Sequence, residues 1–311
     1  MFRFFITLVI FISLQADEDL VARQKVVMGT FVTISVDRAH KSSLESAFKL
    51  LKNIENSLSS YSHHAIIYQL NHNKSVQLDR YSYEALNLSR NYYQETDGYF
   101  DIAIGSITKD LYHFGDHQRV ASAQELAKAS TNIDGLIFNQ EEAIITDSIK
   151  IDLGGMGKGY GVDKVDTLFR QERVKRAVIA LSGDIRCIGK CYISVHNPFD
   201  DTKTLASFFM QNSGVSTSGN YNRYVESKKN NHLINPKTKK SQQNFISLTL
   251  ISNKLSSATL DAYATAISVM PLQKAYTFLA QLDLAYIILQ VDKTLVVSKN
   301  INSYVKELKL K

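Results

Sequence analysis

Cysteine is scarce in this sequence of 311 residues, and its scarcity excludes one class of metal site. Only Cys187 and Cys191 are present. Two cysteines cannot form a structural zinc site by themselves, and no histidine pair lies close to them in the sequence. The two cysteines flank the tripeptide Ile-Gly-Lys, which we interpret as a hairpin loop that would place them opposite each other. In an oxidising compartment this geometry permits a disulfide bond.

The sequence also lacks the patterns of nucleic-acid-binding proteins. Lysine and arginine number 36 against 30 acidic residues, a formal net charge of +6. The basic residues are not interleaved with aromatic residues and match no nucleic-acid motif. We interpret them as solvated charges, with an anionic membrane surface as a further partner that they would favour. They gather at Lys228-Lys229, at Lys237, Lys239 and Lys240, and in the tail at Lys306, Lys309 and Lys311.

An apolar run at the N-terminus is too short for a transmembrane helix of ordinary length. It extends from Phe4 to Leu14, and Ser13 and Ala16 follow the small-residue pattern of a signal-peptidase site. We therefore expect residues 1–16 to be a secretory signal that is cut after Ala16. A retained membrane anchor is the alternative. No cysteine lies near the cut, so we do not expect a lipid-modified N-terminus.

Neither an internal repeat nor a low-complexity linker divides the remaining chain. Long helical patterns alternate with short β-rich segments, which favours an α+β fold over a doubly wound sheet. The length of the chain allows one large domain or two close lobes. Helices are predicted at residues 44–58, 82–96, 122–128 and 162–169 and from Asp261 to Pro271, strands at 26–36, 144–145, 149–151 and 177–181, and a turn-prone segment at 215–221.

The most informative stretch is Asp152-Leu-Gly-Gly-Met-Gly-Lys-Gly-Tyr-Gly-Val-Asp163, which carries five glycines and one lysine between two aspartates. It predicts a glycine-rich turn that leads into a helix. Glycines allow close approach of the backbone to a ligand, and a helix N-terminus offers N–H groups to an anion. The spacing fits neither the P-loop nor the dinucleotide fingerprint. We interpret the stretch as a phosphate or diphosphate site to which Lys158 adds a positive charge. A tight turn without a ligand is the alternative.

A second candidate feature lies on the predicted helix near the C-terminus. Asp261 and Thr265 are four residues apart, so they share one face of that helix. A carboxylate and a hydroxyl are hard oxygen donors, which Mg²⁺ prefers. A helix cap is the alternative role of Asp261.

With these features in view, the sequence resembles the ApbE-type FAD:protein FMN transferases, a family of periplasmic flavin transferases. The resemblance spans most of residues 17–311. It implies that these residues form the catalytic domain of a periplasmic protein, with two closely packed lobes, antiparallel sheets and the active site between the lobes. It depends on an ordered set of motifs, each of which is weak alone. The motifs are Met28-Gly29-Thr30, Ser59-x-Tyr61 with Leu70-Asn71, Gly98-x-Phe100-Asp101, the stretch from Asp152 to Asp163, Ser182-Gly-Asp184, Thr217-Ser-Gly219, His232-x-Ile234-x-Pro236, and Asp261-Ala-x-Ala-Thr265.

The resemblance implies an enzyme that binds FAD and Mg²⁺, cleaves the diphosphate, and attaches FMN through a phosphoester to a threonine or serine of a partner flavoprotein. AMP leaves, and the expected partner belongs to a membrane redox complex. Lys158 and His232 would be catalytic, His232 as the base, although a structural or flavin-contacting histidine is the alternative. The metal ligands would be Gly155, Asp261 and Thr265. The FAD site would be lined by Met28, Tyr61, Tyr99, Phe100, Asp101, Lys158, Ser218, Ile234 and Ala264.

The chain departs from the family pattern at a few positions. Ser182 replaces a usual glycine, Ile102 a common proline, and Asn235 a usual aspartate, and Lys239-Lys240 stand where a glycine is usual. Because the metal and lysine positions are intact, these changes bear on substrate preference more than on activity. Two other functions stay open. One is a Mg²⁺-dependent FAD pyrophosphatase that yields FMN and AMP, and the other is a non-catalytic flavin-binding protein.

Overall fold

The computed structural model describes residues 20–115, 117–146, 148–200 and 202–311. The predicted signal segment, residues 1–16, lies outside this part of the chain. The strands are β1 (Leu20–Val27), β2 (Thr30–Asp37), β3 (Ser75–Gln77), β4 (Leu136–Phe138), β5 (Glu142–Ile145), β6 (Ala177–Leu181), β7 (Asp184–Ile188), β8 (Lys190–His196), β9 (Thr204–Gln211), β10 (Gly214–Gly219), β11 (Tyr224–Val225), β12 (Ser227–Asn231), β13 (Phe245–Ser252), β14 (Ala285–Gln290), β15 (Leu295–Val297) and β16 (Lys306–Leu310). The helices are α1 (Ser43–Leu58), α2 (Ile66–Asn73), α3 (Arg80–Glu95), α4 (Gly105–Thr108), α5 (Ala123–Lys128), α6 (Gly157–Gln171), α7 (Ser257–Val269) and α8 (Leu272–Leu279).

An eight-stranded sheet organises the fold, with the strand order β1-β2-β6-β7-β10-β13-β14-β15. Every neighbouring pair in this sheet is antiparallel. Three smaller sheets occur among the described residues, with the orders β16-β9-β8, β3-β5-β4 and β11-β12. This arrangement of antiparallel sheets with helices confirms the predicted α+β class.

Both faces of the large sheet are covered, and strand β6 shows how. All five of its side chains are buried. Ile179 and Leu181 point to a core that includes α1 and α6. Val178 and Ala180 point to the opposite core, which is closed by β8 and β9. The alternation follows from the two-residue period of a strand, and it places α6 on the helical face of the sheet.

Helices α6 and α7 approach each other very closely on that face. A Cβ atom on Gly159 would lie 2.2 Å from the carbonyl oxygen of Ser257, so glycine is required there. Asp163 on α6 accepts the N–H groups of Ser257 at 2.7 Å and of Ala258 at 2.8 Å. A carboxylate at a helix N-terminus satisfies donors that have no partner within the helix. The second aspartate of the glycine stretch therefore caps α7.

Several local predictions need correction. Helix α2 was not predicted. Residues 149–151 form no strand, and only Lys150 makes an isolated bridge, to Ile104. The segment 215–221, predicted as turn-prone, lies mostly in β10 at the centre of the large sheet. Its small hydroxyl residues are selected by the packing of neighbouring strands, a tertiary effect that overrides their local turn preference.

The predicted disulfide between Cys187 and Cys191 is present, with a Cα–Cα distance of 6.0 Å. The reason given for it was wrong, because the two cysteines do not face each other across a hairpin. Cys187 is in β7 of the large sheet, and Cys191 is in β8 of the three-stranded sheet. The chain turns from one sheet to the other at Gly189, whose φ of +76° suits glycine. The disulfide thus links two sheets.

Candidate active site

The glycine-rich turn enters helix α6, and Lys158 is the second residue of that helix. Its Nζ lies 3.1 Å from Oδ2 of Asp184, at the start of β7, and 3.2 Å from Oδ2 of Asp261, on α7. It also donates to the carbonyl oxygen of Gly154 at 3.3 Å. Both carboxylates are buried, with 2% and 3% of their surface exposed. Three elements that are distant in sequence thus converge on one ammonium group.

The electrostatics of this group favour the charged lysine. Burial by itself lowers the pKa of Lys158, but the carboxylates of Asp184 and Asp261 outweigh burial and hold the pKa above its usual value. Burial raises the pKa of Asp184, and the neighbouring Asp261 carboxylate raises it further. Lys158 is therefore a fixed positive charge at the start of α6.

Three oxygen donors lie together beside Lys158. Thr265 Oγ1 donates to the carbonyl oxygen of Gly155 at 3.4 Å. Asp261 stands one helical turn before Thr265 and accepts the N–H of Gly159 at 3.1 Å. Gly155 has no room for a side chain, since a Cβ there would lie 3.1 Å from Thr265 and 3.2 Å from Phe100. The donor set fits Mg²⁺, which takes carbonyl, hydroxyl and carboxylate oxygens and keeps several waters.

No cluster of three histidine, cysteine, aspartate or glutamate side chains suited to a metal occurs in the part of the chain that the structure describes. A site with one carboxylate is consistent with that finding, because its other protein donors are a hydroxyl and a main-chain carbonyl. Asp261 is not the N-cap of α7, a position held by Ser256. Asp261 is therefore not a cap of its own helix, but it accepts the N–H of Gly159 in the first turn of α6, so the helix-cap alternative stays open.

Asp152 organises the start of the turn. Its carboxylate accepts the hydroxyl of Thr108 at 2.6 Å and the N–H of Gly154 at 3.0 Å, and it lies 3.3 Å from Lys109 Nζ. Burial opposes ionisation, but Lys109 and then Thr108 hold the pKa of Asp152 below its usual range. The N–H of Gly159 donates to Asp261, so two amides at the turn already donate hydrogen bonds to carboxylates. These two amides therefore have no hydrogen-bond donor free for an anion.

His232 follows β12 and is half-buried. Its Nδ1 lies 3.1 Å from the carbonyl oxygen of Arg223, which can only accept a hydrogen bond, so Nδ1 carries the proton and Nε2 is left as the basic nitrogen. Burial, followed by the positive charge of Arg223, lowers the pKa of His232 to about 3. The imidazole is therefore neutral at physiological pH. The charges of Lys158 and Asp152 also act on its pKa.

Tyr61 joins a cationic corner beside His232, and two members of this corner were missed in the sequence. Arg223 donates to the Tyr61 hydroxyl at 2.6 Å and to the carbonyl oxygen of Phe114 at 2.9 Å. Lys109 Nζ lies 3.6 Å from the centre of the Tyr61 ring. Neither Arg223 nor Lys109 belongs to a motif used above. A signal for Arg223 was its place nine residues before His232, across the short β11–β12 hairpin.

The Tyr99-Phe100-Asp101 segment divides among different environments. Tyr99 is flanked by Lys237 Nζ at 4.6 Å and Lys274 Nζ at 5.0 Å from its ring centre. Phe100 packs against Gly155. The Asp101 carboxylate accepts the N–H of Ala103 at 2.8 Å, and burial raises the pKa of Asp101 to about 7. Phe100 is therefore the member of the segment that touches the glycine turn.

The remaining predicted FAD contacts surround α6, α7 and His232. Met28 occupies the β1–β2 turn and lies over Gly161 of α6. Ser218 pairs with Leu248 in the large sheet. Ile234 is buried in a cluster with Phe114. Ala264 is fully buried in α7, so its side chain presents no surface to a ligand. The structure thus groups most predicted residues around the start of α6 and around His232, and their roles stay predictions.

Two departures from the family pattern have a common structural feature. Ser182 has φ of 58° and Lys239 has φ of 59°, both in the left-handed region that glycine adopts without strain. The usual glycines are explained by this backbone conformation. The departure at Asn235 is explained by a hydrogen bond. Asn235 Nδ2 donates to the carbonyl oxygen of Val269 at 2.7 Å, and an aspartate carboxylate could not donate this bond.

The fold and this site define a class of α+β protein in which a lysine and oxygen donors converge at a glycine-rich helix start. The family model described as the ApbE family matches residues 28–288. The chain belongs to that family.

Similar proteins agree with the assignment. The chain is 26% identical over 235 residues to a protein of Klebsiella pneumoniae (strain 342) named FAD:protein FMN transferase, covering 72% of this chain and 74% of that protein. A protein of the same name from Buchnera aphidicola is 24% identical over 300 residues, covering 88% and 87%. The crystal structure of the ApbE protein from Thermotoga maritima has a TM-score of 0.84 at 23% identity, covering 93% of this chain and 100% of that one. The flavin transferase ApbE from Vibrio cholerae has a TM-score of 0.77 at 20% identity, covering 92% and 99%. The structural likeness shows the shared fold.

Proposed function

We propose that this protein is an FAD:protein FMN transferase, as its relatives are named. The proposed reaction moves FMN from FAD to a threonine or serine hydroxyl of a partner flavoprotein, forms a phosphoester, and releases AMP. The observation that supports it best is the convergence of Lys158 with the oxygen donors of Gly155, Asp261 and Thr265.

The phosphate end of FAD belongs at the start of α6 in this proposal. Gly155, Asp261 and Thr265 would hold Mg²⁺, which supplies charge neutralisation at the diphosphate when bound. Displacement at phosphorus depends mainly on positioning and on charge stabilisation. Lys158 adds a fixed positive charge, since its pKa is held above its usual value. The Phe100 ring and Thr265 of α7 pack against Gly155 of the turn.

His232 is the proposed base for the acceptor hydroxyl. Its Nδ1–H is held by the carbonyl oxygen of Arg223, so Nε2 can receive the hydroxyl proton. A base with a pKa of about 3 would be weak. The negative charge of a bound diphosphate would raise that pKa, because charges on the glycine turn already act on His232. The base would therefore strengthen when the donor substrate is bound.

The cellular setting is part of the proposal. A disulfide between Cys187 and Cys191 is typical of proteins in oxidising compartments, which supports a periplasmic location. The partner would be a flavoprotein of a membrane redox complex, and the surface lysines would favour peripheral association with an anionic membrane. No helix among residues 20–311, in the ranges given above, has the length and apolarity that crossing a membrane requires.

The test incubates the purified protein with FAD, Mg²⁺ and an acceptor domain that bears a threonine modification site. Mass spectrometry of the acceptor should show one added FMN, with AMP released in equal amount. Asp261→Ala should reduce transfer by at least about a hundredfold, because metal charge stabilisation at phosphorus contributes several kcal/mol. His232→Ala should slow transfer while FAD affinity and Mg²⁺ affinity, measured in parallel, stay unchanged.

The matched control is Asp166→Asn, which also removes a buried carboxylate from the α6 region. Asp166 pairs with Arg170 at 2.9 Å and lies outside the site, so transfer should persist. Free FMN with an unmodified acceptor would indicate an FAD pyrophosphatase instead. FAD binding without any turnover would indicate a flavin-binding protein. Wild-type transfer rates in Asp261→Ala would exclude the metal assignment.

A further inference from the structure

Asp184 is a buried carboxylate at the candidate site that the proposed reaction leaves without a role. It begins β7, and its Oδ2 lies 3.1 Å from Lys158 Nζ. Its Oδ1 accepts the hydroxyl of Ser216, on the neighbouring strand β10, at 2.6 Å. This second bond is independent of Lys158. The Asp184 side chain therefore keeps its position whether or not the lysine stays beside it.

The backbone around Asp184 is also fixed. Ser182 and Gly183 form the two-residue turn between β6 and β7, and Leu181 pairs with Asp184 across it. A Cβ on Gly183 would lie 2.7 Å from the carbonyl oxygen of Thr217, so the turn is pressed against β10. A rigid strand end is a suitable support for a charged group whose position matters.

Two carboxylates, those of Asp184 and Asp261, contact the one ammonium group of Lys158. Lys158 therefore has a second carboxylate partner if a cation is bound at Asp261, where Gly155 and Thr265 add oxygen donors.

Lys158 and a divalent cation would compete for the same carboxylate. Lys158 Nζ is 3.2 Å from Oδ2 and 3.4 Å from Oδ1 of Asp261, so it contacts both oxygens. A Mg²⁺ ion bound to either oxygen would lie about 2.1 Å from it. Two cations that close to one carboxylate repel each other strongly. The lysine has an alternative partner 3.1 Å away in Asp184.

We propose that Asp184 is a positioning residue for Lys158: when a divalent cation takes Asp261, Lys158 gives up that carboxylate and remains held by Asp184 at the start of α6. The exchange requires no movement of the backbone. It keeps the ammonium group beside the diphosphate when the metal arrives. The proposal rests on the metal site proposed above.

The test measures Mn²⁺ binding by the loss of the free-ion electron paramagnetic resonance signal, since Mn²⁺ prefers the same oxygen ligands as Mg²⁺. The protein is compared with Asp184→Asn, Lys158→Met and the double variant. Asp184→Asn should weaken Mn²⁺ binding, because the lysine then has Asp261 as its remaining carboxylate and competes harder for it. Lys158→Met should strengthen binding. Its gain should be about tenfold larger in the Asp184→Asn background than in the wild type.

That difference separates exchange from simple charge effects. If Lys158 kept its position and merely repelled the metal, its removal would strengthen binding equally in both backgrounds, and an additive cycle would overturn the proposal. Ser216→Ala keeps all three charges and loosens Asp184, so binding should weaken by about threefold, the effect of losing one hydrogen bond. Unchanged binding in Ser216→Ala would also count against the proposal, even if Asp184→Asn did not fold.

Two further measurements keep this failure distinct from failure of the metal site. Asp261→Ala should abolish Mn²⁺ binding, whereas Asp166→Asn should bind as the wild type does. Undiminished binding in Asp261→Ala would overturn the metal site and the exchange with it. A crystal structure with Mn²⁺ should show Lys158 Nζ within hydrogen-bond distance of Asp184 and away from Asp261. A lysine that still contacts Asp261 beside the bound metal would refute the exchange alone.

Discussion

The sharpest structural prediction concerns Gly159, where α6 meets α7. An added Cβ would lie 2.2 Å from the carbonyl oxygen of Ser257, 2.6 Å from its carbonyl carbon and 2.8 Å from Cα of Ala258. All three atoms belong to the backbone, so no side chain can turn aside. Gly159→Ala would have to separate the helices by about 1 Å to reach an ordinary contact.

The magnitude follows from three contributions. Forcing an extra carbon into a packed interface costs about 1–3 kcal/mol. Separation of the helices would also stretch the bond from the Gly159 N–H to Asp261, now 3.1 Å long, and a hydrogen bond to a charged group contributes about 1.5–3 kcal/mol. The higher helix propensity of alanine offsets about 1 kcal/mol of this loss of stability. The net expectation is a loss of about 3 kcal/mol.

The assay is thermal and chemical unfolding, with Gly157→Ala as the matched control. The nearest atom to a Cβ on Gly157 is Cβ of Leu153 at 4.0 Å, so alanine fits there. We expect Gly157→Ala to be neutral or stabilising by up to about 1 kcal/mol. In Gly159→Ala the midpoint should fall by about 5 °C or more. If the two variants had equal stability, the close approach of α6 and α7 would be wrong.

Three further predictions test separate features. Ser182→Gly should raise stability by about 1 kcal/mol, because glycine relieves the left-handed φ of 58°, and an unchanged or lower unfolding midpoint would contradict this. In the unfolded protein the pKa of His232 is about 6.5, and in the folded protein it is about 3. The unfolded state therefore binds more protons than the folded state between these pH values, and the free energy of unfolding should fall as the pH is lowered from the upper value to the lower one. In His232→Asn this free energy should fall less steeply with pH. An equally steep fall in the variant and the wild type would refute the lowered pKa of His232. Because Cys187 and Cys191 form a disulfide, neither should be alkylated before the protein is reduced. Replacing both by serine should lower the free energy of unfolding by about 2 kcal/mol without loss of the fold. Alkylation of either cysteine before reduction would exclude the disulfide.

Periodic patterns in the sequence predicted the elements whose burial is set locally. The apolar spacing from Leu44 to Leu58 predicted α1, and the run at Ala177–Leu181 predicted β6, because one face or both faces of these elements enter a core. Strand β10 was missed because its serines and threonines are selected by its position between two other strands. The short helix α2 was missed because its pattern covers only two turns.

The candidate site divides in the same way. Spacing alone placed Asp261 and Thr265 on one helical face, since a helix fixes that relation within five residues. The approach of Lys158 to Asp184 could not be predicted, because it depends on how α6 packs over β7. The contact between Arg223 and Tyr61 joins residues 162 positions apart, and no local rule connects them.

The sequence by itself determined the elements with regular apolar spacing, the glycine-rich turn with its lysine, and the presence of two cysteines close enough to pair. Each of these features depends on residues that are close in sequence, within about one or two helical turns, where the backbone geometry limits which side chains can be neighbours. Only the tertiary structure decided that Asp184 and Asp261 share Lys158, that Arg223 fixes the proton on His232, and that the disulfide joins two sheets. These relations depend on how separate elements pack against one another. A protein core is densely packed, and this packing decides which side chains meet more than the order of residues along the chain does.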